Sequence, residues 1–260
     1  MIVDYFKGIW KDRYILTSFV NRDLQAKYRR SVLGIAWSIL TPLGLVLMIG
    51  GVYSIIFGAP PTEFIPFLFS GLTPWFFISG VSDSGTSSFL NAEGYLKQTT
   101  VNAQVFPLRV CLGGFINLLY SVIAFFAVYL FMKPNQFGPI MLMTFIGLII
   151  MFLFVLAITN FSAVLNLNMR DFQPLQALIM QGLFYATPII FPAEMLKEKG
   201  YEMIYILNPF YYILEVVRQP MLGNLPSINV YILATVISVS LFIFSVIAVM
   251  RAKKGIAFKL

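Results

Sequence analysis

Six stretches of this sequence carry no charged residue: 31–62, 64–82, 110–132, 134–169, 172–193 and 219–250, with lengths of 32, 19, 23, 36, 22 and 32 residues. A helix needs about 20 apolar residues to cross the hydrocarbon core of a bilayer, and every one of these runs is near or above that length. A transmembrane barrel is built instead from alternating segments of about 10 residues, whereas these runs are apolar on every face. The chain therefore reads as an all-α integral membrane protein. Six transmembrane helices are expected, over about 32–58, 64–84, 108–132, 139–166, 173–192 and 227–250. Composition agrees with this. Only 11% of the 260 residues are charged, against roughly a quarter in soluble domains, which excludes an ordinary water-soluble enzyme and a disordered chain.

The 18 basic residues outnumber the 11 acidic ones, and their positions say more than the net charge of +7. An even number of crossings puts both termini on one side. That side holds Lys7, Lys11, Arg13, Arg22, Lys27, Arg29 and Arg30 before the first helix, and Lys97 and Arg109 between the second and third. It also holds Arg170 between the fourth and fifth, then Arg251, Lys253, Lys254 and Lys259 at the end. The other side holds Lys133, Lys197, Lys199 and Arg218. Cytoplasmic loops retain Lys and Arg, so fourteen against four predicts cytoplasmic N and C termini. The basic excess reads as topology and contact with membrane lipid; nucleic acid is not an expected partner. The single cysteine, Cys111, lies inside an apolar run, so no disulfide framework and no metal cluster are expected. Residues 1–30 carry seven basic residues and no apolar core, and do not read as a cleavable signal peptide.

Residues 1–30 are too polar to cross. Leu16, Phe19, Val20, Leu24 and Tyr28 recur at helical spacing opposite Ser18, Asn21, Arg22 and Gln25, which predicts an amphipathic helix at the cytoplasmic interface. Residues 31–192 then hold the first five crossings. Pro66 and Pro74 remove hydrogen bonds from the second and predict a bend or an irregular stretch there. In the inner loop, Asn91 to Gln98 predicts a short helix. The fifth crossing is the most polar, with Gln173, Gln176 and Gln181 before Thr187-Pro188, so that face is expected to meet protein or a pathway. In the outer segment 193–225, Met203 to Leu214 is uncharged for only 12 residues, too few to span. An extracytoplasmic re-entrant hairpin broken at Asn208-Pro209 is therefore expected between helices five and six. Residues 226–250 supply helix six and 251–260 a cytoplasmic tail, all within one transmembrane domain.

Chemistry is scarce. The chain has no histidine, which removes the commonest general base and metal ligand. No carboxylate falls mid-membrane, so a proton relay has no carrier. The close glycine pairs Gly50-Gly51 and Gly113-Gly114 lie within crossings and are not phosphate loops. No catalytic or metal-ligating residue is expected, and the energy for any active step must come from another subunit.

Several runs resemble a known family. Residues 21–34, Asn-Arg-Asp-Leu-Gln-Ala-Lys-Tyr-Arg-Arg-Ser-Val-Leu-Gly, followed by Trp37 and Pro42, are similar to the opening of the ABC-2-type permeases. The likeness is narrower still to the subunits that export O-antigen, teichoic acid and related lipid-linked polysaccharides. Gly71-Leu72-Thr73-Pro74-Trp75, Asn166-Leu167-Asn168 with Arg170-Asp171, Thr187-Pro188-Ile189 and Asn208-Pro209 follow in the family's order. The resemblance implies a permease domain over 1–260 in the bacterial cytoplasmic (inner) membrane, working as a homodimer with two copies of an ABC ATP-binding subunit. ATP and magnesium would belong to that partner, with no cofactor in this chain. The short inner helix, here with Asn91, Glu93 and Lys97, would dock on the ATPase. Crossings one and five would line a channel for the glycan, with Trp37, Tyr53, Phe57, Gln181, Phe184 and Tyr185 as lining residues. Lys27, Arg29 and Arg30 would hold the pyrophosphate of an undecaprenyl-linked substrate through charge-assisted hydrogen bonds.

Plainer readings stand beside these. The basic cluster also serves as a positive-inside anchor, and Trp37 and Trp75 also suit the interfacial aromatic belt. The glutamines of the fifth crossing also suit bridges between helices. Two rivals to glycan export remain: an ABC-2 permease for a drug or small lipid, and a membrane transferase acting on a polyprenyl carrier. The second needs clustered acidic or histidine residues, which are scarce.

Overall fold

Backbone amides in hydrocarbon can be satisfied only within helices or a closed barrel, and this chain takes the helical solution. The computed structural model describes residues 1–29, 31–253 and 255–260, and among them every regular element is a helix. In order these are α1 (Ile2–Lys11), α2 (Arg13–Tyr28), α3 (Trp37–Phe57), α4 (Pro61–Thr86), α5 (Glu93–Gln98), α6 (Val105–Met132) and α7 (Thr144–Asn168). They are followed by α8 (Phe172–Ala186), α9 (Ala193–Glu198), α10 (Met203–Ile206), α11 (Pro209–Met221), α12 (Ile228–Ala252) and α13 (Ile256–Lys259). Short 3-10 turns lead into α3, α5 and α7. Among the described residues, five helices are long and apolar enough to cross a membrane: α3, α4, α6, α7 with its lead from Pro139, and α12.

The α3–α4 corner shows how the sequence stops one helix and starts the next. Gly58 closes α3 in the left-handed conformation, φ 63°, which glycine adopts without a Cβ clash. Pro61 then opens α4 at the first helical position, where its missing N–H costs nothing. α4 is the axis of the molecule. It packs against α3, α6, α7, α8 and α11, and 78% of its most apolar stretch is buried, against 22% for α3. Pro66 and Pro74 do not interrupt it: α4 is one helix of 26 residues, surrounded by protein, the setting that tolerates such prolines.

The expected fifth crossing differs. α8 is a helix for only 15 residues, about 22 Å at 1.5 Å per residue, and stops at Ala186 instead of continuing to 192. Thr187 precedes a proline and is extended, φ −102° and ψ 132°, because the proline ring disfavours a helical residue before it. The break at Asn208-Pro209 falls where the sequence places it. The Asn208 side chain accepts from the Phe210 amide at 3.0 Å and Pro209 opens α11. α11 then packs against α7, α12 and α4.

The N-terminal region is two helices meeting at Asp12, where one was expected. Of the stripe expected at the interface, Leu16, Phe19 and Val20 are buried in protein and Leu24 is partly buried, while the Tyr28 side chain lies outside what the structure describes. Phe19 packs on Tyr95 at 4.9 Å and Phe106 at 6.0 Å, and Asp23 takes a bidentate bond from Arg109, 2.5 Å on each arm. α1 exposes the apolar side chains Val3, Phe6 and Trp10, and the start of α2 exposes Tyr14 and Ile15.

Side-chain bonds define the two ends of the bundle. At one end Asp12 accepts from the Asn102 amide and side chain at 2.7 and 2.8 Å, Lys253 donates to Asn102 at 2.7 Å, and Lys259 donates to Asn168 at 2.5 Å. The N-terminal helices, α5, the α7–α8 turn and the C-terminus therefore share that end. At the other, Lys133 pairs with Glu63 at 3.4 Å, and the Tyr129 hydroxyl donates to the Leu222 carbonyl at 3.1 Å.

Candidate functional site

Near the end that carries both termini, a cavity of about 730 Å³ opens between α3, α4 and α6. Trp37, Pro42 and Leu45 line it from α3, Thr73, Phe77 and Gly80 from α4, and Asn117 from α6, with Lys27 at its rim. Ser38 donates to Asn117 at 2.9 Å and Ser121 donates to the Ser38 carbonyl at 3.1 Å, which ties α3 to α6 beside the cavity. The surrounding protein partly desolvates the Lys27 ammonium and lowers its pKa from the ordinary lysine value. Of the basic trio expected to hold pyrophosphate, Lys27 is on this rim and Arg29 is exposed just beyond α2. Arg30 lies outside the described residues.

The expected channel residues divide into two groups. Trp37, 48% exposed, belongs to the cavity. Tyr53 and Phe57 lie farther along α3 and pack on each other at 5.8 Å, continuing to Phe64 at 5.7 Å and Phe67 at 6.1 Å. On α8, Gln181 and Tyr185 are exposed. Phe184 is half-buried on Trp75 at 5.9 Å, so packing within the chain already engages one of its faces. α3 and α8 both flank α4 and both present open surface. None of Tyr53, Phe57, Gln181, Phe184 and Tyr185 lines the cavity that holds Trp37.

α5 carries Glu93 and Lys97, with Asn91 in the turn before it, and all three are exposed at the same end as the termini. The Lys97 ammonium, 2.7 Å away, holds the Glu93 carboxyl below its ordinary value. Tyr95 anchors this short helix to α2, packing on Phe19 and accepting from Arg22 at 3.1 Å.

Sequence reasoning missed a buried cluster at the opposite end. Arg218 of α11, 2% exposed, donates to the carbonyls of Pro188 at 2.6 Å and Ile189 at 2.8 Å and pairs with Glu215 at 3.3 Å. Gln219 donates to the other Glu215 oxygen at 2.7 Å. The guanidinium lies 4.6 Å from the Phe67 ring centre and fills the space over Gly71, where a Cβ would meet Nη2 at 2.1 Å. Asn208 donates to the Thr187 hydroxyl at 2.8 Å. Gly71, Thr187-Pro188-Ile189 and Asn208-Pro209 therefore meet around one arginine. The available signal was Glu-Val-Val-Arg: two opposite charges three residues apart, on one helix face, within an otherwise apolar run.

The ABC-2 type transporter family profile matches residues 15–222, from α2 through the end of α11. The O-antigen export system permease protein RfbA of Myxococcus xanthus is 28% identical over 205 residues, 78% of each chain. A protein of the same name from Klebsiella pneumoniae is 30% identical over 202 residues, 75% of each. The polysialic acid transport protein KpsM of Escherichia coli is 21% identical over 232 residues, 85% of this chain and 87% of that one. With five helices able to span a bilayer and a match over most of its length, this chain is a multi-pass membrane protein that belongs to the ABC-2 type transporter permeases.

Proposed function

We propose that this chain is the membrane subunit of an ATP-driven exporter that moves an undecaprenyl-pyrophosphate-linked polysaccharide out of the cytoplasm. Two copies would pair with two ABC ATP-binding subunits, which would bind ATP and magnesium and press on α5 through Asn91, Glu93 and Lys97. The glycan would pass between α3 and α8 of the paired copies, along Trp37, Tyr53, Phe57, Gln181, Phe184 and Tyr185. Lys27, Arg29 and Arg30 would hold the pyrophosphate at the inner mouth. The termini would be cytoplasmic, and α9 to α11 would form the outer re-entrant gate.

One observation carries the reading: α3, although long enough to span, is only 22% buried in the single chain. It flanks α4 together with α8, which is also open. Aromatic rings offer flat faces to sugar C–H surfaces, and two such open faces suit closure by a second copy. The names of the relatives supply the cargo class. Chain parity supports six crossings. α7 ends at the end that carries the termini and α12 begins at the other, so a sixth crossing would lie in α8 and the segment after it.

Deleting the gene is expected to abolish surface polysaccharide and leave lipid-linked polymer inside the cell, with the wild-type gene restoring export. The variant Lys27→Gln/Arg29→Gln/Arg30→Gln is expected to assemble with its partner yet fail to restore export. Surface polymer unchanged by the deletion overturns the reading.

A further inference from the structure

Beyond Ala252 the chain turns and folds back as α13. The 25 residues of α12 make a helix about 37 Å long at 1.5 Å per residue, more than the roughly 30 Å of hydrocarbon, so α13 stands on the aqueous side. Its inward face is fixed. Ile256 is 1% exposed, Leu260 one turn on packs against the core, and the Lys259 ammonium donates to Asn168. Phe258 falls about 200° round the helix from Ile256 and points outward, 91% exposed. It does not stand alone. α13 packs against α5 and against α7, and the turn that follows α7 exposes Met169 by 50%. That turn also reaches α5, because Lys97 first and then Arg170 hold the Glu93 carboxyl below its ordinary value. α5, the 169–171 turn and α13 therefore form one surface, with two large apolar side chains held out among charged ones.

We propose that α13 is a second docking element for the ABC ATP-binding subunit, with Phe258 as its apolar anchor, Met169 beside it and α5 as the polar rim. This rests on the reading above that such a subunit contacts α5, and the occupant is argued from continuity with that contact. An apolar centre ringed by charged groups is the usual make-up of a protein interface, and a ring already fixed in place loses little freedom on binding. The charges select protein over membrane. Anionic lipid is gathered by clusters of basic residues, whereas Glu93 and Asp171 here balance Lys97 and Arg170, all four exposed. Lys259 and Lys253 are engaged by Asn168 and Asn102. The tail would thus widen the footprint of the ATPase from one short helix to three segments of the chain.

The test places the photoreactive residue p-benzoylphenylalanine at position 258, at position 97 on α5, or at position 244, which is exposed on α12. Each full-length protein is irradiated in native membranes, and the products are identified by mass spectrometry. Positions 258 and 97 are expected to capture a protein whose peptides include the phosphate loop of an ABC ATPase, and position 244 is not. Phe258→Ser should then weaken binding of that purified subunit about tenfold or more, with Phe258→Leu in between and the melting temperature of the permease alone unchanged. Reaction of Phe258→Cys with maleimide should slow severalfold, without stopping, once the subunit is bound. Capture of lipid alone or of a second permease copy at 258, wild-type affinity in Phe258→Ser, or equal maleimide rates each overturn the proposal. Capture at 97 without capture at 258 does so while leaving the reading of α5 intact; capture at neither position removes both.

Discussion

Arg218 sits where a charge is most expensive to hold, and the structure surrounds it with acceptors. Two carbonyls, one carboxylate and one ring face share the guanidinium. The carbonyls belong to Pro188 and Ile189, which the proline-induced stop of α8 leaves without helical partners. The arginine thus stands in for the missing helix and ties that turn to α11. Removing it orphans both carbonyls and leaves Glu215, 6% exposed, without its cation. Breaking a buried pair in this way costs about 3–5 kcal/mol, so Arg218→Met is expected to lower the melting temperature of the purified protein sharply. Gly71→Ala should cost about 1–3 kcal/mol by overpacking against the pinned guanidinium. Because both changes act on one contact, the double variant should fall short of their sum by more than about 0.5 kcal/mol. Additive losses would show that Gly71 is not the floor of this cluster.

At the scale of elements, spanning helices were legible because an uncharged run of sufficient length has few alternatives in a bilayer. The stop of α8 was also written in Thr187-Pro188, but charge-free length alone carried the expected crossing past it. The N-terminal region misled for a different reason. A helical stripe such as Leu16, Phe19 and Val20 shows that one face is buried, and says nothing about whether lipid or protein covers it; here Tyr95 and Phe106 do. Burial likewise hid Arg218, which linear spacing had assigned to an outer loop. The docking of α1 was not foreseen at all, since Tyr5 looks like any interfacial aromatic. It is fully buried, accepts from Asn160 at 3.3 Å, and burial pushes its phenol up to about 12 from 10.0. A raised phenol favours the folded state fully below pH ~10 and loses that contribution as pH climbs toward the folded value. α1 should therefore become open to an alkaline protease such as subtilisin between about pH 10 and 12, and Tyr5→Phe should flatten the dependence across that window. Identical pH profiles would remove Tyr5 from the docking of α1.

For the whole molecule, the decisive property is the number of times the chain crosses. α3, α4, α6, α7 and α12 are long enough alone, yet an odd count is at variance with the bonds that gather both termini, α5 and the α7–α8 turn at one end. A sixth crossing would lie in α8 and the segment that follows it. Thiol labelling can decide this, because Cys111, the single native cysteine, is 0% exposed. The variants Asn135→Cys, Asp171→Cys, Lys199→Cys and Phe258→Cys all fall at exposed positions. In intact spheroplasts an impermeant maleimide should reach positions 135 and 199, while 171 and 258 should react only after permeabilisation. Positions 171 and 199 flank α8, so labelling of both from the same face would leave five crossings. The α3–α8 channel would then lose one of its walls. Labelling from opposite faces makes α8 a crossing despite its 15 residues, with the segment after Ala186 completing the distance that the helix alone does not cover.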